Sequence, residues 1–144
     1  MSDGGSDTDT APVSEPALFA YLSYRDTPAA LEWFQALGFT VSIRQDGPNG
    51  TVAHAEVRLG SVVLMVASAD AEYDVPALRG NSTGGGLYLL VDDVDAVHSR
   101  ALAAGAREVF GPEPTGWGSR RSRVLDAEGH EWSFGSYRPG QAWS

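Results

Sequence analysis

Few side chains in this sequence could carry acid–base, nucleophilic or metal chemistry. The 144 residues include three histidines and 19 carboxylates but no cysteine, and all ten basic residues are arginines. Without cysteine there is no thiolate nucleophile, disulfide or zinc–thiolate site, and without lysine there is no Schiff-base chemistry. The candidate reactive groups are therefore the histidines, the carboxylates and the arginines.

His54 and Glu56 form the most suggestive pair. They lie two residues apart in Thr51–Leu59, whose alternating pattern predicts a strand, so both side chains should share one face of it. Facing a ligand, they could act as an acid–base pair or as metal ligands. Facing solvent, they would pair with Arg44 or Arg58 instead, and alternation alone does not choose between the faces.

The other two histidines have local explanations. His98 lies in a predicted helix at the border of its polar and apolar faces, which predicts a solvated or capped side chain. His130 follows Gly129 in a predicted turn and should stabilise that hairpin. Three carboxylates are predicted to cap the start of the His98 helix: Asp92, Asp93 and Asp95.

Composition excludes several partners. The formal net charge is −9, and the one basic cluster (Arg120, Arg121 and Arg123) is too small for a nucleic-acid footprint, so no nucleic-acid partner is expected. No apolar run approaches the ~20 residues of a membrane span, and the first residues lack the pattern of a signal peptide. We therefore expect a cytoplasmic protein with no membrane association.

The predicted elements form the order β-α-β-β-β twice. A strand in Ala17–Tyr24 precedes a helix capped by Asp26 or Thr27 and ended by Gly38. In the second copy, a strand at Gly86–Val91 precedes the His98 helix, which ends at Gly105. The predicted boundaries are a disordered acidic tail (1–16), module one (17–68), a polar linker (69–83), module two (84–139) and a C-terminal tail (140–144), with 17–139 as one domain. Residues 111–118 are predicted to form a loop between strands.

An internal repeat supports this division. An offset of 67 places Tyr21 on Tyr88, Asp26 on Asp93 and Gly38 on Gly105. Near the end of each module an offset of 69 places Gly60 on Gly129 and Leu64 on Ser133. The predicted fold class is α+β, with two βαβββ modules that form a cup-shaped mixed β-sheet.

The modules resemble those of the vicinal oxygen chelate superfamily, which includes glyoxalase I, bleomycin-resistance proteins and extradiol dioxygenases. The resemblance rests on Asp26-Thr-Pro-Ala-Ala-Leu-Glu-Trp-Phe after the first strand, on Trp117-Gly-Ser-Arg, and on Asp126-Ala-Glu-Gly-His-Glu-Trp-Ser-Phe-Gly-Ser-Tyr137. It covers about residues 17–139. It implies the glyoxalase/bleomycin-resistance fold and a homodimer in which one chain often helps to complete the cup of the other.

Metal enzymes of that superfamily bind one divalent ion at four places, which the resemblance carries onto Phe19, Leu64, Gly86 and Ser133. None of these is His, Asp or Glu, and a lone serine hydroxyl is a poor ligand. A shift by one residue gives side chains that are equally unsuited: Leu18, Ala20, Met65 and Leu87. We therefore expect no metal at these places and no cofactor.

Aromatic side chains occupy the strands that should line the cup, where they could stack on an apolar or planar guest. Arg121 could orient an anionic or carbonyl-bearing ligand, because guanidinium recognises pairs of oxygens. Trp132 and Phe134 are predicted to be core residues, opposite in phase to Ser133. The predicted ligand-binding set is Phe19, Tyr21, His54, Glu56, Leu64, Tyr88, Trp117, Arg121 and Ser133.

The function predicted first is metal-independent binding of a small molecule, of the bleomycin-resistance type associated with antibiotic resistance. The guest would be planar or partly apolar, and the acidic surface would suit a cationic one. The alternative is a glyoxalase-like lyase or isomerase, or a dioxygenase, that uses His54 and Glu56 as an acid–base pair or as a relocated metal site. A third possibility is a regulatory or partner-binding domain that has lost its ligand.

Overall fold

A computed structural model describes residues 15–69 and 73–141. Most of the predicted N-terminal tail (1–14), part of the linker (70–72) and the end of the C-terminal tail (142–144) lie outside the described residues. The elements are β1 (Ala20–Tyr24), α1 (Thr27–Ala36), β2 (Thr40–Asp46), a 3₁₀ turn (Pro48–Gly50), β3 (Val52–Leu59), β4 (Val62–Ser68), β5 (Gly86–Leu90), α2 (Val94–Ala103), β6 (Arg107–Pro114), β7 (Arg120–Leu125) and β8 (Glu131–Gly135).

The two helices begin and end in the same way. The carboxylate of Asp26 accepts the Ala29 N–H at 3.1 Å at the start of α1, and Asp93 accepts the Ala96 N–H at 3.0 Å at the start of α2. These bonds satisfy amide groups that the first helical turn leaves unpaired. Beyond the helices, Gly38 and Gly105 adopt φ values of +109° and +111°, which favour glycine. The caps and stops confirm the offset of 67.

Each module forms its own four-stranded mixed sheet. The first sheet has the order β1-β4-β3-β2 and the second has the order β5-β8-β7-β6. In each sheet the first strand of the module (β1 or β5) pairs in parallel with the last strand (β4 or β8). The other neighbouring strands are antiparallel. The predicted fold class is confirmed. One strand differs from expectation, because β6 continues to Pro114 through residues predicted to be a loop.

Alternation along the strands gives each sheet two different sides. One side joins α1 and α2 in the core, through residues such as Leu64 and Val66 in the first sheet and Trp132 and Phe134 in the second. We call the opposite side the open face of that sheet. The predicted core positions of Trp132 and Phe134 are confirmed, since they are 1% and 0% exposed.

A single core joins the two modules. The ring of Trp132 in β8 packs against Trp33 and Phe34 of α1 at centroid distances of 5.6 and 5.5 Å. The Trp33 indole N–H donates to the carbonyl of Ala101 in α2 at 3.2 Å. Such aromatic packing buries a large apolar area at the junction of the modules.

Polar groups at the same junction meet on the carboxylate of Asp126. It accepts the Tyr24 hydroxyl at 2.6 Å and the Trp132 indole N–H at 3.2 Å. Burial, together with the charge of Asp126, raises the pKa of Tyr24, so this phenol stays a donor. Glu128 accepts hydrogen bonds from the backbone N–H groups of Arg25 and Asp26 at 2.7 and 2.8 Å.

None of the helices in the described part of the chain is long and apolar enough to cross a membrane.

Candidate ligand site on the open faces

The open face of the second sheet carries a cavity of about 180 Å³. Four of the nine residues in the predicted ligand-binding set line it: Tyr88, Trp117, Arg121 and Ser133. Trp117 is 64% exposed, in the loop between β6 and β7, so its ring is available to a guest. The cavity therefore brings together an exposed indole, a phenol, a hydroxyl and a guanidinium.

Glycine at position 135 gives the Tyr88 ring its place on this face. Because Gly135 has no side chain, the ring of Tyr88 lies across β8, where an added Cβ would stand 2.8 Å from Tyr88 Cζ. The Tyr88 hydroxyl donates to the carbonyl of Tyr137 at 2.6 Å. Burial raises the pKa of Tyr88, which keeps this hydroxyl protonated. The ring is thus fixed as one wall of the cavity.

The three neighbouring arginines have different environments. Arg120 forms two hydrogen bonds to Asp95, at 2.6 and 3.0 Å. Hydrogen bonding from Arg120 holds the pKa of the Asp95 carboxyl below its usual value. Arg123 donates from Nε to the Ser133 hydroxyl at 2.9 Å and from Nη1 to the Asn81 carbonyl at 2.6 Å. Arg121 makes a longer ion pair, 3.8 Å to Glu113. The three arginines therefore differ in how closely other groups of the protein hold them.

Phe110 is a wall of the cavity that the predicted set lacks. The guanidinium carbons of Arg121 and Arg123 lie 5.3 and 5.2 Å from its ring centroid, within cation–π range. Phe110 was predicted to end a strand before a loop. In the structure β6 continues past Phe110, and Phe110 pairs with Arg123 of β7.

Glu131 is a buried carboxylate on the same face. It is 6% exposed and accepts the Thr83 N–H at 2.6 Å and the hydroxyls of Thr83 and Ser82 at 2.9 and 3.0 Å. Its other oxygen is 3.3 Å from Nε of Arg123. Burial raises the pKa of Glu131, but the hydrogen bonds from Thr83 and Ser82 and the charge of Arg123 outweigh it, so the pKa is lowered. The end of the polar linker is therefore docked on this sheet.

On the open face of the first sheet, His54 and Glu56 do share a side, as predicted. His54 Nε2 lies 3.1 Å from a Glu56 carboxylate oxygen, and both side chains are partly exposed. Tyr21, 56% exposed, is on the same side, one strand beyond Met65. The structure thus brings Tyr21, His54 and Glu56 to one face, and Tyr88, Trp117, Arg121 and Ser133 to the corresponding face of the other sheet.

The strand register corrects the placement of Leu64. Tyr21 is opposite Met65, and Tyr88 is opposite Ser133, so the counterpart of Ser133 is Met65. The offset between β4 and β8 is therefore 68, one less than the sequence predicted. Because a slip of one residue moves a side chain to the other face of a strand, Leu64 points into the core and is 7% exposed.

Phe19 lies elsewhere again. It is 54% exposed and lines an apolar groove of about 700 Å³ where the start of β1 approaches β5. Leu64 lies at the bottom of this groove, and Tyr88 contributes to its wall from the side of β5. The structure therefore divides the predicted set among two open faces and the seam between the sheets.

The structure corrects the predicted environment of His98 and adds contacts to that of His130. His98 is 3% exposed and not solvated, with Nδ1 2.8 Å from the Ser122 hydroxyl and Nε2 2.7 Å from a Glu108 oxygen. Ser122 is fully buried, so the hydroxyl in this serine–histidine–carboxylate arrangement is not exposed to solvent. His130 extends beyond its hairpin, since its ring contacts the Ser23 carbonyl at 3.2 Å and the Tyr24 ring.

The residues present do not fit the divalent metal of the related enzymes. Within residues 15–69 and 73–141, no three His, Cys, Asp or Glu side chains are grouped closely enough to hold a metal ion. At the four corresponding places, with the register corrected, stand Phe19, Met65, Gly86 and Ser133. Gly86 leaves room for the side chain of Glu131, whose carboxyl carbon would lie 3.0 Å from an added Cβ.

The class of protein is defined by two βαβββ modules, each with a sheet whose open face carries aromatic side chains. The profile of the "Glyoxalase/Bleomycin resistance protein/Dioxygenase superfamily" matches residues 18–134, so the chain belongs to this superfamily.

Three known proteins are similar to this chain across most of their own length. The chain is 36% identical over 131 residues to "Uncharacterized protein Mb0911c" of Mycobacterium bovis, which covers 84% of this chain and 83% of that protein. Among solved structures, TioX from Micromonospora sp. ML1 is 31% identical, with a TM-score of 0.66, over 86% of this chain and 100% of TioX. The bleomycin resistance determinant encoded on transposon Tn5 shares the fold at 18% identity, with a TM-score of 0.59, over 86% of this chain and 99% of that one.

Proposed function

We propose that this protein binds a planar, partly apolar small molecule without a metal, on the open face of the second sheet. The observation that carries this proposal is the 180 Å³ cavity, whose walls include the rings of Tyr88, Phe110 and Trp117 together with Arg121. Aromatic walls with a few polar groups are the usual composition of small-molecule sites. The cavity is smaller than the ~300–1,000 Å³ typical of sites for drug-sized ligands, so it suits a system of one or two rings or one end of a larger compound.

The open faces support a homodimer as part of this proposal. Several large apolar side chains are more than a third exposed on or beside them: Phe19, Tyr21, Ile43, Tyr88, Leu90 and Trp117. The first face carries Glu56 where the second carries arginine, so the first face of one copy complements the second face of another. A second copy would cover these rings and enclose the guest more fully.

Sedimentation of charge variants tests the dimer. Glu56→Arg should weaken association, because it would place an arginine against the arginine of the facing copy, and Glu56→Gln should weaken it less. Wild-type protein that stays monomeric at high concentration would overturn this part of the proposal.

Removal of Trp117 tests the binding site. Neutral 2-naphthamide should bind the wild type and bind Trp117→Ala about 3- to 10-fold more weakly, from the ~0.5–1.5 kcal/mol of an aromatic contact. Leu78→Ala is the matched control, since Leu78 is an exposed apolar residue outside the lining of this cavity. Calorimetric titration that finds equal affinity in Trp117→Ala and wild type would contradict the proposed site.

A second candidate function is supported by the His54–Glu56 contact. A histidine 3.1 Å from a carboxylate oxygen, both partly exposed, could transfer a proton as part of a lyase or isomerase site. If so, His54→Ala should abolish turnover and leave the affinity for 2-naphthamide unchanged. Loss of binding without any turnover in the wild type would favour the binding function alone. A cytoplasmic location and a role in antibiotic resistance stay predictions.

A further inference from the structure

We propose that the guest carries a carboxylate and that the Arg121 guanidinium is the group that binds it. This inference rests on the proposed function, and it names the class of ligand as aromatic carboxylic acids of one or two rings. It reverses the expectation that the net charge of −9 draws a cationic guest to the site, because the local charge of the cavity wall, not the sum over the chain, faces the ligand.

The contacts of the three arginines single out Arg121. Arg120 is held by both oxygens of Asp95. Arg123 is held by Ser133, by the Asn81 carbonyl and by the buried Glu131. In the described part of the chain, Arg121 has the 3.8 Å ion pair with Glu113 and the face of Phe110. A guanidinium has five donors in a planar fork, so most donors of Arg121 are available to a ligand.

The Glu113 pair does not block this use of Arg121. Both side chains are nearly half exposed, at 48% and 46%, and exposed pairs contribute little. Their separation of 3.8 Å also exceeds the 2.7–2.9 Å typical of a charge-assisted hydrogen bond. A ligand carboxylate that accepts two short bonds from the fork would therefore replace a weak contact with a stronger one.

The rings around Arg121 select an aromatic acid over a small anion. The ring of Phe110 lies within cation–π distance of the Arg121 guanidinium, and Tyr88 and Trp117 contribute further aromatic walls. A ring bound between them would bury apolar surface and direct its carboxylate to the fork. Burial of the ring and binding of the carboxylate stabilise the same molecule only when the ring and the acid are joined directly or by a short linker.

A matched series of naphthalene probes tests the inference: 2-naphthoate, 2-naphthamide and 2-naphthylmethylammonium. These share a ring system and differ in charge at one end. At pH 7.5 and low salt, calorimetry should give the wild type an affinity for the acid about tenfold above that for the amide, and weakest binding for the amine. In Arg121→Gln the acid should lose that advantage and the amide should be unchanged. Arg121→Lys should be intermediate, since lysine keeps the charge but lacks the fork.

The control is Arg100→Gln, which removes the same charge from an exposed position of α2, away from both open faces. It should keep the tenfold preference for the acid. If the acid and amide bind alike in the wild type, or if the amine binds best, the inference fails and the proposed binding function stands. If Arg100→Gln lowers the preference as much as Arg121→Gln does, Arg121 is not the anchor. If none of the probes binds, both the inference and the proposed site fail.

Discussion

The open faces of the two sheets have the same framework and opposite chemistry. Across the first sheet, one row of neighbours runs Tyr21, Met65, Glu56 and Ile43. Across the second, the corresponding row runs Tyr88, Ser133, Arg123 and Phe110. The tyrosine is shared, but the carboxylate is replaced by a guanidinium and the methionine by a hydroxyl. Similar strands therefore present two different binding surfaces.

The helix-facing sides differ as well. Leu31 of α1 corresponds to His98 of α2 at the offset of 67, and Ala55 corresponds to Ser122. Both positions are buried in both modules. The first module fills this layer with apolar groups, while the second uses a hydrogen-bonded histidine and serine. The comparison shows that the fold tolerates either solution as long as every buried polar group has a partner.

The largest expected effect separates two sequence neighbours on opposite faces. Leu64→Ala should lower the free energy of unfolding by about 2–5 kcal/mol, because it leaves a cavity in the core. Met65→Ala, on the open face, should cost about 1 kcal/mol or less. Urea denaturation measures both. Equal costs would mean that the register deduced for β4 is wrong.

A smaller effect concerns Glu131, which has no carboxylate counterpart in the first sheet. Glu131→Gln should cost about 1.5–3 kcal/mol at pH 7, the range for hydrogen bonds to a charged group. Because the folded state lowers the pKa of Glu131, its contribution is present above the ordinary value of 4.5 and is lost as the pH falls through the lowered pKa.

The pH dependence of urea midpoints checks this sign. The gap between wild type and Glu131→Gln should be constant from pH 7 to about 5 and then narrow towards pH 3. Glu32→Gln, on an exposed position of α1, is the control with the same change of charge. A gap that widens in acid would contradict the lowered pKa.

The smallest expected effect comes from replacing the buried polar pair of the second module, His98 and Ser122, with apolar residues like those of the first module. His98→Leu alone should cost about 1–3 kcal/mol, since the fully buried Ser122 hydroxyl loses its partner. Adding Ser122→Ala should recover part of this cost, because two apolar groups replace a matched polar pair. A double-mutant cycle measured by thermal unfolding tests the coupling. Strictly additive costs would show that the two side chains do not stabilise each other.

Much of the fold could be predicted from local patterns. The caps Asp26 and Asp93, the glycines after each helix and the alternation of Thr51–Leu59 act over a few residues, and the structure confirms them. Asp95 was also predicted to cap α2, but its carboxylate binds Arg120 instead. The strand ends were less predictable. The extension of β6 past Gly111 depends on its pairing with β7, which lies several residues further along the chain.

The site was predictable by residue type but only in part by position. Alternation placed His54 with Glu56, and the structure confirms that they share a face. Alternation could not fix the one-residue offset between β4 and β8, so Leu64 was placed in the ligand-binding set although it faces the core. Nor could the sequence pattern show that His98 of α2 is buried, because its partners Glu108 and Ser122 come from β6 and β7.

The sequence by itself determined the repeat, the fold class and the lack of metal-ligating side chains at four places, because these follow from residue identity and short-range spacing. The tertiary structure decided which side of each strand is open and which arginine is available to a ligand. Arg120, Arg121 and Arg123 look alike in the chain. Only packing gives two of them carboxylate or carbonyl partners at short distance and leaves Arg121 facing a cavity.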